Sequence, residues 1–273
     1  MGVGKRKKAP ITRDGSKSNS LSSKKTKEII NKFHQLLKRR NITTDEKVQR
    51  QIDEEIESLG GMQAYQHAST LGQSATRGGD SSHVFIAWLQ ELRVREKLQR
   101  GDKMSLLEIG ALKPDNYSNQ RSFIDTELID LRSNHPDIVE QDFLQRPLPA
   151  SDLHCKDAIS ASLVLNFVPT PTDRGLFLLR LNTFLKHHGY LFMVLPAPCV
   201  TNSRYLTRDR FVQMLQSVGF TLLREKIGDA NKGARLAYWL LQKAGQVDID
   251  KQEYGKKKVL KQGSNLNNFC ILL

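Results

Sequence analysis

The chain is short of the residues on which several large protein classes depend. It has three cysteines, Cys155, Cys199 and Cys270, too few and too scattered for a disulfide scaffold or a thiolate zinc site. Such usage suits a reducing compartment. There is no run of about 18 apolar residues to form a spanning helix, and no signal peptide opens the chain. The expectation is a soluble intracellular protein. Seven histidines offer no metal-ligand spacing, so no metal is expected. Only His187 and His188 are adjacent, and the local pattern puts them at a helix C-terminus, where they favour the dipole.

Acids are scarce at both ends. Residues 1–40 hold thirteen Lys/Arg against Asp14 and Glu28, and residues 251–273 hold five Lys against Glu253. The ends therefore carry +11 and +4 of a net +13, leaving −2 for everything between them. A nearly neutral body with basic arms points to nucleic-acid phosphates and to a nuclear address; a merely solubilising tail is the plainer alternative.

What is present is enough for one full-sized core with appendages, since 38% of 273 residues are hydrophobic. Its centre is the stretch Leu106–Asp142. A short apolar run ends in Gly110, a second ends in Asp130 twenty positions later, and Gln141–Leu144 follows. A glycine closing the first strand lets backbone approach a ligand, and a carboxylate closing the second can take both hydroxyls of a ribose, as nucleotide-type cofactors require. A pyrophosphate would need G-x-G-x-x-G at a helix N-terminus. Here Gly110-Ala111-Leu112-Lys113-Pro114 has one glycine and a proline, which favours S-adenosylmethionine, a cofactor without phosphate. Asp142 is placed to meet its adenine amino group. The plainer reading is an ordinary βαβ unit with acids at its strand ends.

In chain order, residues 1–20 form a basic arm expected to be disordered. A helical N-terminal region is expected over 21–100. Ile29, Ile30, Phe33, Leu36 and Leu37 share one face of a basic amphipathic helix, which could lie on RNA or pack against the body. A second helix opens at Thr43 with Glu46 as its capping box and stops at Gly60-Gly61. Met62–Gln66 leads to the polar loop Arg77–Ser82, which can reach the cofactor, and Val84, Phe85, Trp88, Leu89 and Leu92 make a core-facing helix. A methyltransferase-type domain is expected over 101–245. It continues with a strand at Asp157–Leu165, a helix capped by Thr172 or Asp173 and running to Gly189, a strand at Tyr190–Leu195, a helix at Thr207–Val218, and a closing pair at Phe220–Lys226 and Arg235–Gln242. A basic tail fills 246–273. The fold class is α/β: a seven-stranded Rossmann-like methyltransferase sheet with a helical lead-in and basic tails.

Chemistry belongs at the end of the fourth strand, beside the switch point of the sheet. Asn166 and Phe167 stand there, able to hydrogen-bond and stack on a base. Asn166 as a turn former and Phe167 as core are the structural alternatives. The prolines of the amino-methylating Asn/Asp-Pro-Pro-Tyr signature are missing, so methylation of an exocyclic amine is not indicated. Pro198-Cys199 invites a cytosine-C5 thiolate mechanism, but follows the fifth strand where that chemistry uses the fourth. Cys270–Leu273 formally fits a prenylation box, while the polar/apolar alternation from Asn267 to Leu273 suits an extended tail docked on the domain; a membrane partner is not expected.

Taken together, Arg77–Ser82, Leu107–Ala111, Ile129–Leu131, Gln141–Phe143, Leu163–Pro169 and Arg174-Gly175 resemble the fungal 25S ribosomal RNA adenine-N(1) methyltransferase family, over roughly Gly60 to Gln242. The resemblance implies a Rossmann-like fold, S-adenosylmethionine contacts at Gly110 and Asp130, large-subunit ribosomal RNA or the preribosome as partner, and a nucleolar location. A monomer is expected. A non-catalytic S-adenosylmethionine sensor is the rival, and such a protein needs Gly110 and Asp130 but no basic arms.

Overall fold

A computed structural model describes residues 23–61, 64, 81–133, 135–228 and 235–273. The 1–20 arm, Met62–Gln66 apart from Ala64, and Arg77–Asp80 lie outside the described residues. Seven strands form one sheet: β1 (Met104–Ile109), β2 (Ile124–Asp130), β3 (Val139–Glu140), β4 (Lys156–Ser162), β5 (Leu185–Pro196), β6 (Phe220–Ile227) and β7 (Leu236–Lys243). Their order is β3-β2-β1-β4-β5-β7-β6. The first five run parallel, and β7 is antiparallel to both β5 and β6. This is the seven-stranded Rossmann-like sheet that the sequence pattern called for.

Alternation along the strands builds two cores, because successive side chains leave opposite faces. Leu107, Ile159, Met193 and Trp239 point to one face; Leu106, Ala158, Phe192 and Leu240 point to the other. The first face is covered by α4 (Pro171–Phe184), the one-turn α5 (Pro198–Thr201) and α6 (Arg208–Ser217). Over the second lies α3 (Ser82–Glu91), where Phe85 stacks on Phe192 at 4.9 Å between ring centroids and Trp88 meets the same ring edge-on at 6.0 Å. The β1–β2 crossover itself has only the 3-10 turn Ser118–Gln120. So α3, from before the sheet, does the covering that a crossover helix normally does.

The lead-in helices α1 (Ser23–Ile42) and α2 (Glu46–Ser58) make a hairpin with its own small core of Phe33, Leu36, Ile52 and Ile56. The basic face of α1 meets an acidic partner: Lys32 pairs with Glu55 at 2.9 Å, and Arg40 with Asp53. The apolar stripe of α1 is thus covered by α2, and part of its charge is neutralised there.

Several boundaries differ from the sequence-based expectation, each for a local reason. Asp45, not Thr43, caps α2, its Oδ1 accepting from the Lys47 N–H at 2.8 Å, while the Thr43 hydroxyl accepts from the Asp45 N–H. Thr170 caps α4 because Pro171 fills N1, a position that needs no N–H. The third strand lies just ahead of Gln141–Leu144, and β4 stops at Ser162, since Leu163 turns to φ +58. Helix α4 ends at Phe184 when Leu185 goes extended to pair with Lys156. His187 and His188 therefore sit in β5, with no helix dipole to favour.

The C-terminal segment docks on the first core. After α7 (Lys251–Tyr254) the chain returns along the sheet domain and buries Phe269, Cys270, Ile271 and Leu273. Its cations are partly spent on that docking: Lys258 pairs with Glu253, and the Lys261 ammonium donates to the Thr201 carbonyl. Among the described residues, no helix is long and apolar enough to cross a membrane.

Candidate functional site

Four parallel strands deliver their carboxyl ends to one edge of the sheet, and the residues singled out by sequence arrive there together. β1 hands on to Gly110, whose N–H donates to the Ile129 carbonyl at 2.8 Å. Its φ is +78, and a Cβ there would stand 2.6 Å from Val164 Cγ2. Glycine is required on both counts. The same approach puts the end of β1 against the segment that follows β4.

Asp130 ends β2. Its carbonyl accepts from the Gln141 N–H at 2.8 Å and its Oδ1 from the Arg132 N–H at 2.8 Å, so the carboxylate is aimed by its own turn. Burial pushes the Asp130 carboxyl up to about 6; the neighbouring Glu140 adds to the rise, and the N–H groups of Arg132 and Leu131 oppose it. A half-buried carboxylate raised in this way gains from any donor that satisfies it. Asp142, just past β3, accepts from the Leu144 N–H at 2.8 Å through Oδ1 and so also forms a turn.

Beyond β4 the backbone is tightly specified. Leu163 takes a left-handed φ of +58 while its N–H donates to Val194 at 2.9 Å, and the Phe167 N–H donates to the Val164 carbonyl at 2.8 Å, closing a turn around Leu165 and Asn166. A left-handed leucine costs on the order of 1–3 kcal/mol and persists only where the surroundings dictate it. Leu165 anchors the turn in the core. Asn166 is 8% exposed, yet its Oδ1 has no hydrogen-bond partner among the described residues. An orphaned buried amide oxygen costs roughly 1–3 kcal/mol, which marks this turn as constrained. Phe167 is 36% exposed, a large ring turned partly to solvent instead of into the core.

Two further residues at this edge escaped sequence reasoning. Glu108 is buried in β1 and its Oε1 accepts from Asn116 Nδ2 at 2.7 Å; the signal was an acid inside an apolar run. Arg174 is 4% exposed and spans the start of α4, with no signal beyond the Arg-Gly doublet. From the other side, the hydroxyl of Ser81, at the head of α3, lies 2.7 Å from that of Ser162.

A cavity of about 670 Å³ opens at the opposite end of the sheet, lined by Lys103, Arg146, Lys156 and Lys186 among others. It is a poor rival. Glu127 pairs with both Arg146 and Lys156, Asp157 pairs with Lys186, and ligands of open parallel sheets bind at the carboxyl ends of the strands. The carboxyl-end residues fit S-adenosylmethionine: Gly110 puts no side chain between the end of β1 and a ligand, Asp130 offers a carboxylate in need of donors, and the end of β1 runs into no helix N-terminus that would favour a phosphate.

Comparison with known proteins gives the family of the chain. Residues 50–271 match the family described as 25S rRNA (adenine(2142)-N(1))-methyltransferase, Bmt2. A 25S rRNA (adenine(2142)-N(1))-methyltransferase of Saccharomyces cerevisiae is 37% identical over 223 residues, 81% of this chain and 63% of that protein. The chain thus spans less than two thirds of the length of that relative. A 25S rRNA adenine-N(1) methyltransferase of Schizosaccharomyces pombe is 34% identical over 261 residues, 91% of this chain and 92% of that one. Among solved structures, an S-adenosylmethionine-dependent methyltransferase from Clostridium acetobutylicum superposes with a TM-score of 0.49 at 11% identity, covering 66% of this chain and 99% of the other.

Proposed function

The chain belongs to the 25S rRNA (adenine(2142)-N(1))-methyltransferase family, Bmt2, and from that premise we propose that it methylates N1 of an adenine in large-subunit ribosomal RNA, using S-adenosylmethionine, during nucleolar ribosome assembly. The observation that carries the proposal is the family match over residues 50–271, which takes in all seven strands and the edge where Gly110, Asp130 and Asn166 meet.

Bound at that edge, S-adenosylmethionine supplies a methyl group on a positively charged sulfur. Gly110 gives it backbone room, Asp130 takes the ribose hydroxyls as a carboxylate, and Asp142 meets the adenine amino group. Ring N1 of the substrate adenine carries its own lone pair and no proton, so the chain has to align it more than deprotonate it. That suits a loop with an amide and an aromatic and no general base. Asn166, through an Oδ1 without a partner among the described residues, accepts from the exocyclic amine next to N1; Phe167, partly exposed beside it, stacks on the ring. The basic residues of 1–40 and of the C-terminal segment hold the RNA through its phosphates.

N1 methylation blocks the pairing edge of adenine, so reverse transcriptase halts or misincorporates at the modified base. One such stop in the large-subunit RNA vanishes in a strain lacking this protein and in a Gly110→Arg variant, and weakens markedly with Asn166→Ala at nearly unchanged cofactor affinity. A stop that persists in the deletion strain refutes the enzyme reading in favour of a cofactor sensor.

A further inference from the structure

The Arg174-Gly175 doublet has no part in the chemistry above, yet it is among the most constrained points of the structure. Arg174 lies one turn into α4, and its guanidinium donates to three main-chain carbonyls: Nε to Val168 at 2.9 Å, Nη2 to Pro169 at 3.0 Å and Nη1 to Cys270 at 2.7 Å. Its plane also lies over the Phe269 ring, 4.6 Å from the centroid. Val168 and Pro169 end the loop that presents Asn166 and Phe167, while Cys270 belongs to a segment 96 residues away in sequence. A buried guanidinium is expensive to desolvate, and these carbonyls give each of its three nitrogens a hydrogen bond, three of its five N–H groups. Gly175 supplies the clearance: a Cβ there would stand 1.7 Å from the Leu272 carbonyl oxygen. The segment is then pinned by the Leu272 N–H to Pro171 at 2.9 Å, the Ser203 hydroxyl to the Phe269 carbonyl at 2.6 Å, and burial of Ile271 and Leu273.

We propose that Phe269–Leu273, clamped through Arg174, is the brace that holds the Leu165–Pro169 loop in its methyl-transfer geometry, with Arg174 as a positioning residue. This rests on the reading of that loop as the substrate-facing one. The physical reason is that the loop's own bonds, the Phe167 turn and the Leu165 anchor, fix its first half only. Its second half is held by the planar fork of Arg174, which reaches the loop and the C-terminal segment at once. A lysine is a single point charge and cannot span three carbonyls in that geometry.

The test uses the full chain, with methyl transfer to a large-subunit RNA fragment, cofactor titration and amide hydrogen exchange. Arg174→Lys should lower kcat at least tenfold, leave S-adenosylmethionine affinity within twofold, and speed exchange across 165–169 at least tenfold while β1 and β4 keep their protection. Deleting 269–273 should do the same or more. Combined with Asn166→Ala, Arg174→Lys should add nothing further to the kcat loss, because both act on one loop. Unchanged exchange across 165–169 in Arg174→Lys, or losses that multiply in the double variant, would overturn the brace. An Asn166→Ala variant with full kcat overturns it as well, along with the assignment of the loop, while wild-type methylation would leave the enzyme reading standing.

Discussion

Asp130 offers a test of the cofactor site that needs no structural change at all, only pH. With its carboxyl raised to about 6 in the ligand-free protein, the group is mostly ionised at pH 7 and about one tenth ionised at pH 5. If ribose hydroxyls donate to the carboxylate, S-adenosylmethionine affinity follows the ionised fraction. The dissociation constant should rise about tenfold from pH 7 to pH 5, equivalent to about 1.4 kcal/mol. Two other half-buried carboxylates stay out of this window. Burial works against Glu127, but Arg146 and Lys156 hold it below the ordinary range; burial likewise opposes Asp157, which Lys186 and Ser105 keep low. Both stay ionised throughout. The stability linkage has a definite sign: between its ordinary value and about 6 the folded, ligand-free protein keeps a proton on Asp130 that the unfolded chain has lost, so this group's contribution to stability falls as pH rises through that window. Ligand donors relieve that cost, and the cofactor-induced rise in Tm should be larger at pH 7 than at pH 5. Asp130→Asn is the control. It loses charge-assisted acceptance, roughly 1.5–3 kcal/mol, and with it the part of the pH slope that belongs to Asp130. Calorimetry in which wild type and Asp130→Asn show the same slope between pH 5 and 7 would refute the assignment.

Two other expectations can be checked with the same protein. Gly110→Ala places a methyl 2.6 Å from Val164 Cγ2 on a backbone at φ +78, so it should lose about 1–2 kcal/mol of stability from the left-handed conformation alone and weaken cofactor binding further; thermal unfolding with and without S-adenosylmethionine reads both. Removing residues 1–40 should weaken RNA binding and flatten the slope of log affinity against log salt, by about 0.7–0.9 for each phosphate that the arm had neutralised. Because Lys32 and Arg40 are engaged by Glu55 and Asp53, the change in slope should fall short of the eleven net charges removed.

Much of this protein could be read from the chain because the physics involved is local. Short, nearly continuous apolar runs at Leu106–Ile109 and Tyr190–Leu195 mark strands buried on both faces, and the single glycine followed by an acid twenty positions on locates two strand ends that a parallel sheet must bring to one edge. Gly110, Asp130 and Asp142, with Asn166 and Phe167 after the fourth strand, were singled out because they stand at or just past strand ends. Other features depended on contacts between residues distant in sequence. Leu185 could have continued α4, but it pairs with Lys156, and so the two histidines became strand residues. The basic helix α1 could by its sequence lie on RNA or pack against the body, and only the fold brings the acids of α2 to part of its charge. Nothing near Arg174 in sequence announces that Cys270, 96 residues on, would complete its hydrogen bonds. The sequence by itself determined the sheet class and most of the strands, since apolar runs and turn chemistry act within a few residues. Only the tertiary structure decided which charges are neutralised, which amide oxygen is left wanting a partner, and how the C-terminal segment is wedged against the loop, because each depends on groups that folding alone brings within hydrogen-bond reach.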